Sequence, residues 1–529
     1  MQPRIGILLL HGYGLSGSGS NVYTRHLCSA LHRLGARVHV VCQDHGEPLP
    51  FVATMTDYDE SGVAARTRAI APSGVHLHRP AVGPVLPVYN WDRYPGFDEV
   101  APFHELSDDL VERYVAQHVR AVRAIVEAHS IDVMFANHVV AMPEVARRIH
   151  EATGVPYAVM PHGSAIEYVV RRDSRFAAMA EQGLRSASAV VVGGDEMLSR
   201  LDAVWSPKLG HRAKAELIRT GVDLMQFHPR TQRATPSAVA GQSGSSRASM
   251  DEFFARCAVQ ESDDDLLAVV DAQRRMYSPT AADRDVVEEL AGAGFGQGRV
   301  VFFGGKLVAG KGVHALIAAM AGVADAHLVL AGQGTFREAL ELVLRSIVHG
   351  TYALFERVVR LGWALEGKPR APLRHLAHLC APEAFAELHQ RAVDSNLGAR
   401  VHFLGFLPHE TLAAVLRQSD VSVLPSAVPE AYPLSLLESL ASGVFPVVAD
   451  HGGAAQMASE WSERTDVERS MLAVDPGADV MVGALRARLN ARLRSADGPD
   501  PRARQLAEDL YGWPSIGSTA LRLFERIAA

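Results

Sequence analysis

Short aliphatic runs alternate with stretches of helical periodicity along most of the chain, and that alternation restricts it to an α/β architecture built on parallel sheets. Residues 4–10 (RIGILLL) read as a buried first strand. A Gly/Ser loop follows, then a helix from about Asn21 to Leu34. Leu27, Ala30, Leu31 and Leu34 form one stripe of it, and Gly35 is its stop. Further strands are expected at 38–42, 75–78, 132–136, 157–160 and 189–192. The pattern then restarts after a break. Runs at 299–303, 327–331, 401–404, 420–424 and 445–449 are strand-like, each followed by a helical stretch. Because 529 residues exceed one ordinary core, two αβ blocks are the economical reading, with a seam near Gly221-Val222-Asp223. The expected division is 1–222, 223–505 and a closing segment over 506–529.

Two stretches interrupt the second block. Residues 231–249 are Ser/Ala/Gly-rich and read as a mobile linker. They lead into a polar helical insertion that runs to 298 and carries Asp263-Asp264-Asp265, read as a solvated helix terminus or loop. Residues 341–396 read as a second, helical insertion between two strands. A formal net charge of −7 argues against a general nucleic-acid binder, yet leaves room for a local basic pocket. The four cysteines, Cys28, Cys42, Cys257 and Cys380, form no CxxC pair and no metal-ligand spacing, which fits a reduced, cytoplasmic setting. Neither a signal peptide nor a membrane span is read, since Ile5–Leu10 is only a strand long. Peripheral membrane contact stays open.

Three segments carry chemistry. In Pro425–Gly443 a strand ends near Leu424, a loop carries Glu430, and Pro433 stands where a helix begins, a position that tolerates its missing N–H. The free N–H groups of Leu434 and Ser435 would lie at the positive end of that helix, a natural seat for phosphate. Glu430 and Glu438, with seven residues between them, can line one pocket and accept hydrogen bonds from a hydroxyl-rich ligand. In Val300–Met320 a strand runs into Gly304-Gly305, then Lys306, Lys311 and Gly312. Glycines let backbone approach a phosphate and the lysines supply charge. The spacing is not that of a P-loop.

The third segment, Gly12-Tyr13-Gly14-Leu15-Ser16-Gly17, is a literal G-x-G-x-x-G after a strand, with Asp44 after the next strand. That keeps an NAD-dependent enzyme as an alternative. The helix, however, is read as starting only near Asn21, whereas the fingerprint needs it to open inside the glycine run. His162 ends a strand at its carboxyl edge, where ligand clefts of α/β proteins form.

Together these segments resemble glycosyltransferase family 4, retaining enzymes of the GT-B fold, in which two Rossmann-like domains face each other across a cleft. The resemblance covers most of 4–230, 299–340 and 397–460. It implies that Glu430 meets the donor sugar's hydroxyls and Glu438 the ribose, and that Lys306 and Lys311 hold the donor diphosphate beside Gly305. Gly17, Gly19 and Asn21 resemble the family's N-terminal glycine loop, and His162 the histidine that touches the transferred sugar. Phe406 and Leu407 match the stretch that flanks the nucleotide base. Gly221-Val222-Asp223 matches the interdomain segment, and Leu510–Trp513 the helix returning to the first domain. Three positions depart from the pattern: Lys306 where arginine is usual, Pro433 where many members have glycine, and Gln456 where glutamate is common.

The resemblance implies a hexosyltransferase that passes a sugar from a nucleoside diphosphate sugar to an acceptor, either a small molecule or a glycan. It implies front-face attack, no metal and no cofactor. A sugar-nucleotide epimerase of the same fold, and a partner-binding protein with a decayed site, are the remaining alternatives.

Overall fold

The computed structural model describes every residue except 1–4, 16–18, 84, 95, 207–208, 238–243, 296–297, 324, 431 and 496–497. The chain divides into two compact units, Met1–Gly221 with Leu510–Ala529, and Val222–Asp509. Among the described residues no helix is long and apolar enough to cross a membrane.

The first unit holds β1 (Gly6–Leu10), β2 (Arg37–Val41), β3 (Val52–Tyr58), β4 (Ala64–Ala69), β5 (Val75–Arg79), β6 (Val85–Val88), β7 (Glu99–Pro102), β8 (Val133–Asn137), β9 (Tyr157–Met160), β10 (Ala189–Val192) and β11 (Ala215–Leu217). β6 and β7 pair apart, and the other nine form one sheet in the order β11-β10-β9-β8-β1-β2-β5-β3-β4. In that sheet only the β3–β4 pair is antiparallel among the described residues. Every residue of β1 is buried, as a central parallel strand covered on both faces requires. The helix Gly19–Arg33 covers one face with Leu27, Cys28 and Leu31. The closing helix Trp513–Ala528 enters the same core through Trp513, Ile516, Leu523 and Phe524. That approach is close: a Cβ added to Gly517 would stand 2.9 Å from the Ala30 Cβ, and one on Gly221 2.5 Å from the Trp513 ring.

The second unit holds β12 (Arg299–Gly304), β13 (Ala326–Ala331), β14 (Val401–Gly405), β15 (Val421–Leu424), β16 (Phe445–Ala449) and β17 (Ala473–Val474), all parallel in the order β14-β13-β12-β15-β16-β17. Its two interruptions pack on each other. Arg337, buried in the helix Arg337–His349, donates to Asp283 at 2.9 Å and to Glu341 at 3.0 Å and lies over the Phe403 ring. Arg345 reaches Asp251 at 3.1 Å.

One sequence expectation is refined here and another is limited. Asp263–Asp265 do open a helix, Asp263–Arg274, with Asp264 and Asp265 exposed, but Asp263 is held by Arg360 at 2.7 Å and Arg370 at 3.2 Å, from the other interruption. The expected linker is anchored at both of its described ends. Arg233 pairs with the fully buried Asp420, and the Ala234 amide donates to the Gln418 side chain at 3.1 Å. Ser246 caps the helix Arg247–Ala258 reciprocally with Ser249, and Arg247 donates to Glu289 at 2.9 Å. At these ends a few arginines with buried partners outweigh many small residues. Residues 238–243 of that stretch lie outside the described residues.

Candidate active site

In the second unit, β12 ends in a turn whose backbone touches its neighbours directly. Gly305 (φ +154°) donates to the Ala331 carbonyl at 3.0 Å, and a Cβ on Gly332 would lie 1.9 Å from the Gly305 oxygen. Half-buried Lys306 follows. The short turn Ala309–Lys311 is fixed from the second interruption: Glu366 accepts the Ala309 amide at 3.0 Å and meets the Lys368 ammonium at 2.6 Å. Gly312 sits at φ +68°, and a Cβ there would stand 1.8 Å from the Pro425 oxygen. No side chain fits without moving the loop that carries Glu430. Gly312→Ala is therefore expected to cost at least about 1–3 kcal/mol from the backbone conformation alone, with the clash in addition. Chemical denaturation checks this, and an unchanged midpoint would contradict the packing described.

That approach brings the Lys311 ammonium onto one oxygen of Glu430, while the Ser426 hydroxyl donates to the other. Burial disfavours the charged carboxylate, but the Lys311 charge and hydrogen bond, with the Ser426 hydroxyl, outweigh it and hold Glu430 below its ordinary value. The His451 ring meets the Ser426 carbonyl at 2.7 Å. The Gly453 amide donates to the Glu430 carbonyl at 2.6 Å, so backbone and side chain of Glu430 are both clamped.

After this loop Pro433 caps the helix Leu434–Ala441 rather than entering its first turn, leaving half-buried Leu434 and Ser435 at the positive end. Glu438 is buried inside that helix, 3.2 Å from His409 Nε2. His409 opens its own helix directly after Phe406-Leu407-Pro408. The half-exposed Phe406 donates its amide to the Ala281 carbonyl at 2.9 Å, and Leu407 is buried. The structure thus joins Lys311 to Glu430, and Glu438 to the segment expected beside the base.

In the first unit, β1, β8 and β9 each run into a polar residue at the carboxyl end. His11 is buried between Asn21 Oδ1 at 2.9 Å and Thr24 Oγ1 at 3.1 Å. Burial pushes it down to about 4, so it is neutral. Asn21, expected to face the donor, has its side-chain oxygen on His11. His162 Nε2 stands 3.1 Å from Asn137 Oδ1, with its ring 4.5 Å from His138 and 6.2 Å from Tyr23. Burial, then the nearby His11, pushes His162 down to about 3, so it is a neutral hydrogen-bonding group. His138 has φ +67° and a buried ring with neither nitrogen hydrogen-bonded to protein.

The N-terminal glycine run is described only up to Leu15. Asp44 accepts the Leu15 and Gly46 amides at 2.8 and 3.1 Å, which ties it to the loops instead of a ribose. Among the described residues the helix runs from Gly19, two residues earlier than expected. Gly17 lies outside the described residues. Sequence reasoning missed Ser426, His451, His409 and Glu366. Ser426 lies inside the Pro425–Gly443 segment, and His409 and His451 follow strand ends, which was the available signal. Glu366 sits in an interruption and gave none.

Residues 18–221 match the family model described as "Glycosyl transferase 4-like domain", and residues 381–485 that described as "Glycosyl transferases group 1". The chain covers 99% of sucrose-phosphate synthase (tll1590) from Thermosynechococcus elongatus, with 99% of this chain aligned, 18% identity and a TM-score of 0.59. The catalytic domain of starch synthase IV from Arabidopsis thaliana, bound to ADP and acarbose, aligns over 99% of this chain and 100% of its own, with 12% identity and a TM-score of 0.55. The Anabaena protein Alr3699/HepE in complex with UDP and glucose aligns over 99% and 100%, with 15% identity and a TM-score of 0.53. No curated protein matches the sequence. The two family models together span more than half of the chain, and the chain belongs to the GT-B glycosyltransferases of the family-4-like type. It is a glycosyltransferase that uses a nucleotide sugar.

Proposed function

We propose that this enzyme is a metal-independent, retaining hexosyltransferase acting on a nucleoside diphosphate sugar. The observation that carries this reading is the Lys311–Glu430 pair at the mouth of the glycine turn, with the Leu434 helix end following in the same loop. Starch synthase IV has been captured with ADP, and Alr3699/HepE with UDP and glucose, on similar folds.

Breaking a sugar–phosphate bond builds negative charge on the departing diphosphate. Lys306, Lys311 and the amides of Leu434 and Ser435 supply positive charge without reorganising, the most effective form of transition-state stabilisation. Glu430, kept ionised by Lys311, accepts hydrogen bonds from the sugar's hydroxyls. Glu438, backed by His409, accepts them from the ribose, with Phe406 and Leu407 beside the base. His162, neutral at working pH, hydrogen-bonds the transferred sugar without adding charge next to an oxocarbenium-like centre. The acceptor hydroxyl attacks on the face the diphosphate leaves, and a departing phosphate oxygen takes its proton, so no side-chain base is required.

Transfer is expected to persist in EDTA with kcat within about twofold of the untreated enzyme, since fixed cations take the role that a donor-bound ion fills elsewhere. Complete loss restored by Mg²⁺ or Mn²⁺ would overturn the charge argument.

A further inference from the structure

Five histidines stand in or near one face of the first unit's sheet, away from every residue used above. His39 lies on β2, and His76 and His78 on β5. Because β2 and β5 pair in parallel with His39 opposite His76, the three project to the same face. His129 is the last residue of the helix Asp108–His129, and His32 lies close enough to His76 to act on it electrostatically. The His39 ring stacks 4.7 Å from both His76 and His129, and His39 Nδ1 is 3.0 Å from His78 Nε2. One nitrogen each of His39, His78 and His129 lies within 4.8 Å of the other two. The helix ends at His129 just before β8 starts at Val133, His39 lies mid-strand in β2, and His78 is level with Val41. His11, His138 and His162 follow the carboxyl ends.

We propose that His39, His78 and His129 form a binding site for a divalent transition ion of zinc type. The ligand set is chemically suited: three imidazoles, the nitrogen donors that Zn²⁺ and its neighbours prefer, with space for a fourth, solvent ligand at the partly exposed His129 side. Metal–nitrogen bonds of about 2.0–2.1 Å in a tetrahedral site put nitrogens a little over 3 Å apart. The His39–His78 separation already meets this, and the rings need only small rotations to bring in His129. His78 is also oriented from behind, since Tyr58 Oη lies 2.9 Å from its Nδ1, which leaves Nε2 as the coordinating atom. Burial lowers the pKa of His39, His78 and His129, toward the neutral form that coordinates. The nearby cation is Arg37, which is engaged by Asp132 at 3.8 Å and by the Ser130 carbonyl at 3.1 Å. A bound ion would pin the carboxyl end of a 22-residue helix to two central strands, a structural role separate from sugar transfer.

The full-length protein, stripped with chelator and freed of it, is titrated with Zn²⁺ by calorimetry and with Co²⁺ by visible spectroscopy. The expected result is one equivalent per chain with sub-micromolar affinity, a tetrahedral Co²⁺ spectrum and a raised Tm in Zn²⁺. His129→Gln, at a helix end, and His78→Gln, in the sheet, are each expected to weaken binding roughly a hundredfold or more. His150→Gln, a histidine outside the cluster, should leave it unchanged. Absence of a stoichiometric site in the wild type, or equal affinity in all three variants, would overturn the proposal. The readout is metal binding, so its failure leaves the transferase reading untouched.

Discussion

Replacing Glu430 with alanine is expected to lower kcat by roughly a hundredfold or more while the protein stays folded. A charge-assisted hydrogen bond contributes about 1.5–3 kcal/mol, and each 1.36 kcal/mol is about tenfold in rate, so one such contact at the upper end, or two at the lower end, reaches that factor. Glu430 makes its ligand contacts at the sugar, whose charge changes during reaction, so its loss falls on kcat. Glu438 faces a ribose that does not react, so Glu438→Ala should appear mainly in KM. Glu430→Gln separates charge from shape, since it keeps an acceptor for Ser426 but loses the pairing with Lys311. A folded Glu430→Ala enzyme with ordinary kcat would remove this residue from the reaction.

The second large effect is expected at Lys311. Lys311→Ala should weaken binding of the nucleoside diphosphate by about 10- to 150-fold, the range of one charge-assisted contact, while the bare nucleoside binds almost as before. The substitution also strips Glu430 of its cation and leaves a carboxylate whose burial is no longer offset. Lys306→Ala, at the start of the same turn, is the cleaner comparison. Calorimetry with both ligands decides the matter: equal losses for diphosphate and nucleoside would mean that neither lysine faces phosphate.

Much of this arrangement was legible in the chain because parallel strands buried on both faces are continuous aliphatic runs. β1, β9 and β16 lie where those runs lie. β4 was not legible, since all six of its residues are exposed and an edge strand of that kind has no apolar pattern to read. The donor motifs were visible as local spacing around glycines and strand ends. What spacing does not carry is which partner a polar side chain finds. Asn21 turns to His11, Asp44 to the Leu15 amide, and Glu366 reaches the Lys311 turn from far along the chain. The histidine cluster was invisible for the same reason. Its members are spread over ninety positions, and only the β2–β5 register and the end of one helix bring them together.

The stereochemistry of transfer tests the central claim most directly. The enzyme is mixed with α-linked UDP-, GDP-, ADP- and TDP-sugars, with acceptors and with water alone, and the first-formed product is followed by proton NMR at its anomeric centre. If diphosphate leaves and the incoming hydroxyl attacks on one face, guided by Lys306, Lys311 and Glu430, the new anomeric proton carries the small coupling of an α product. A first-formed β product from an α-linked donor would contradict the account.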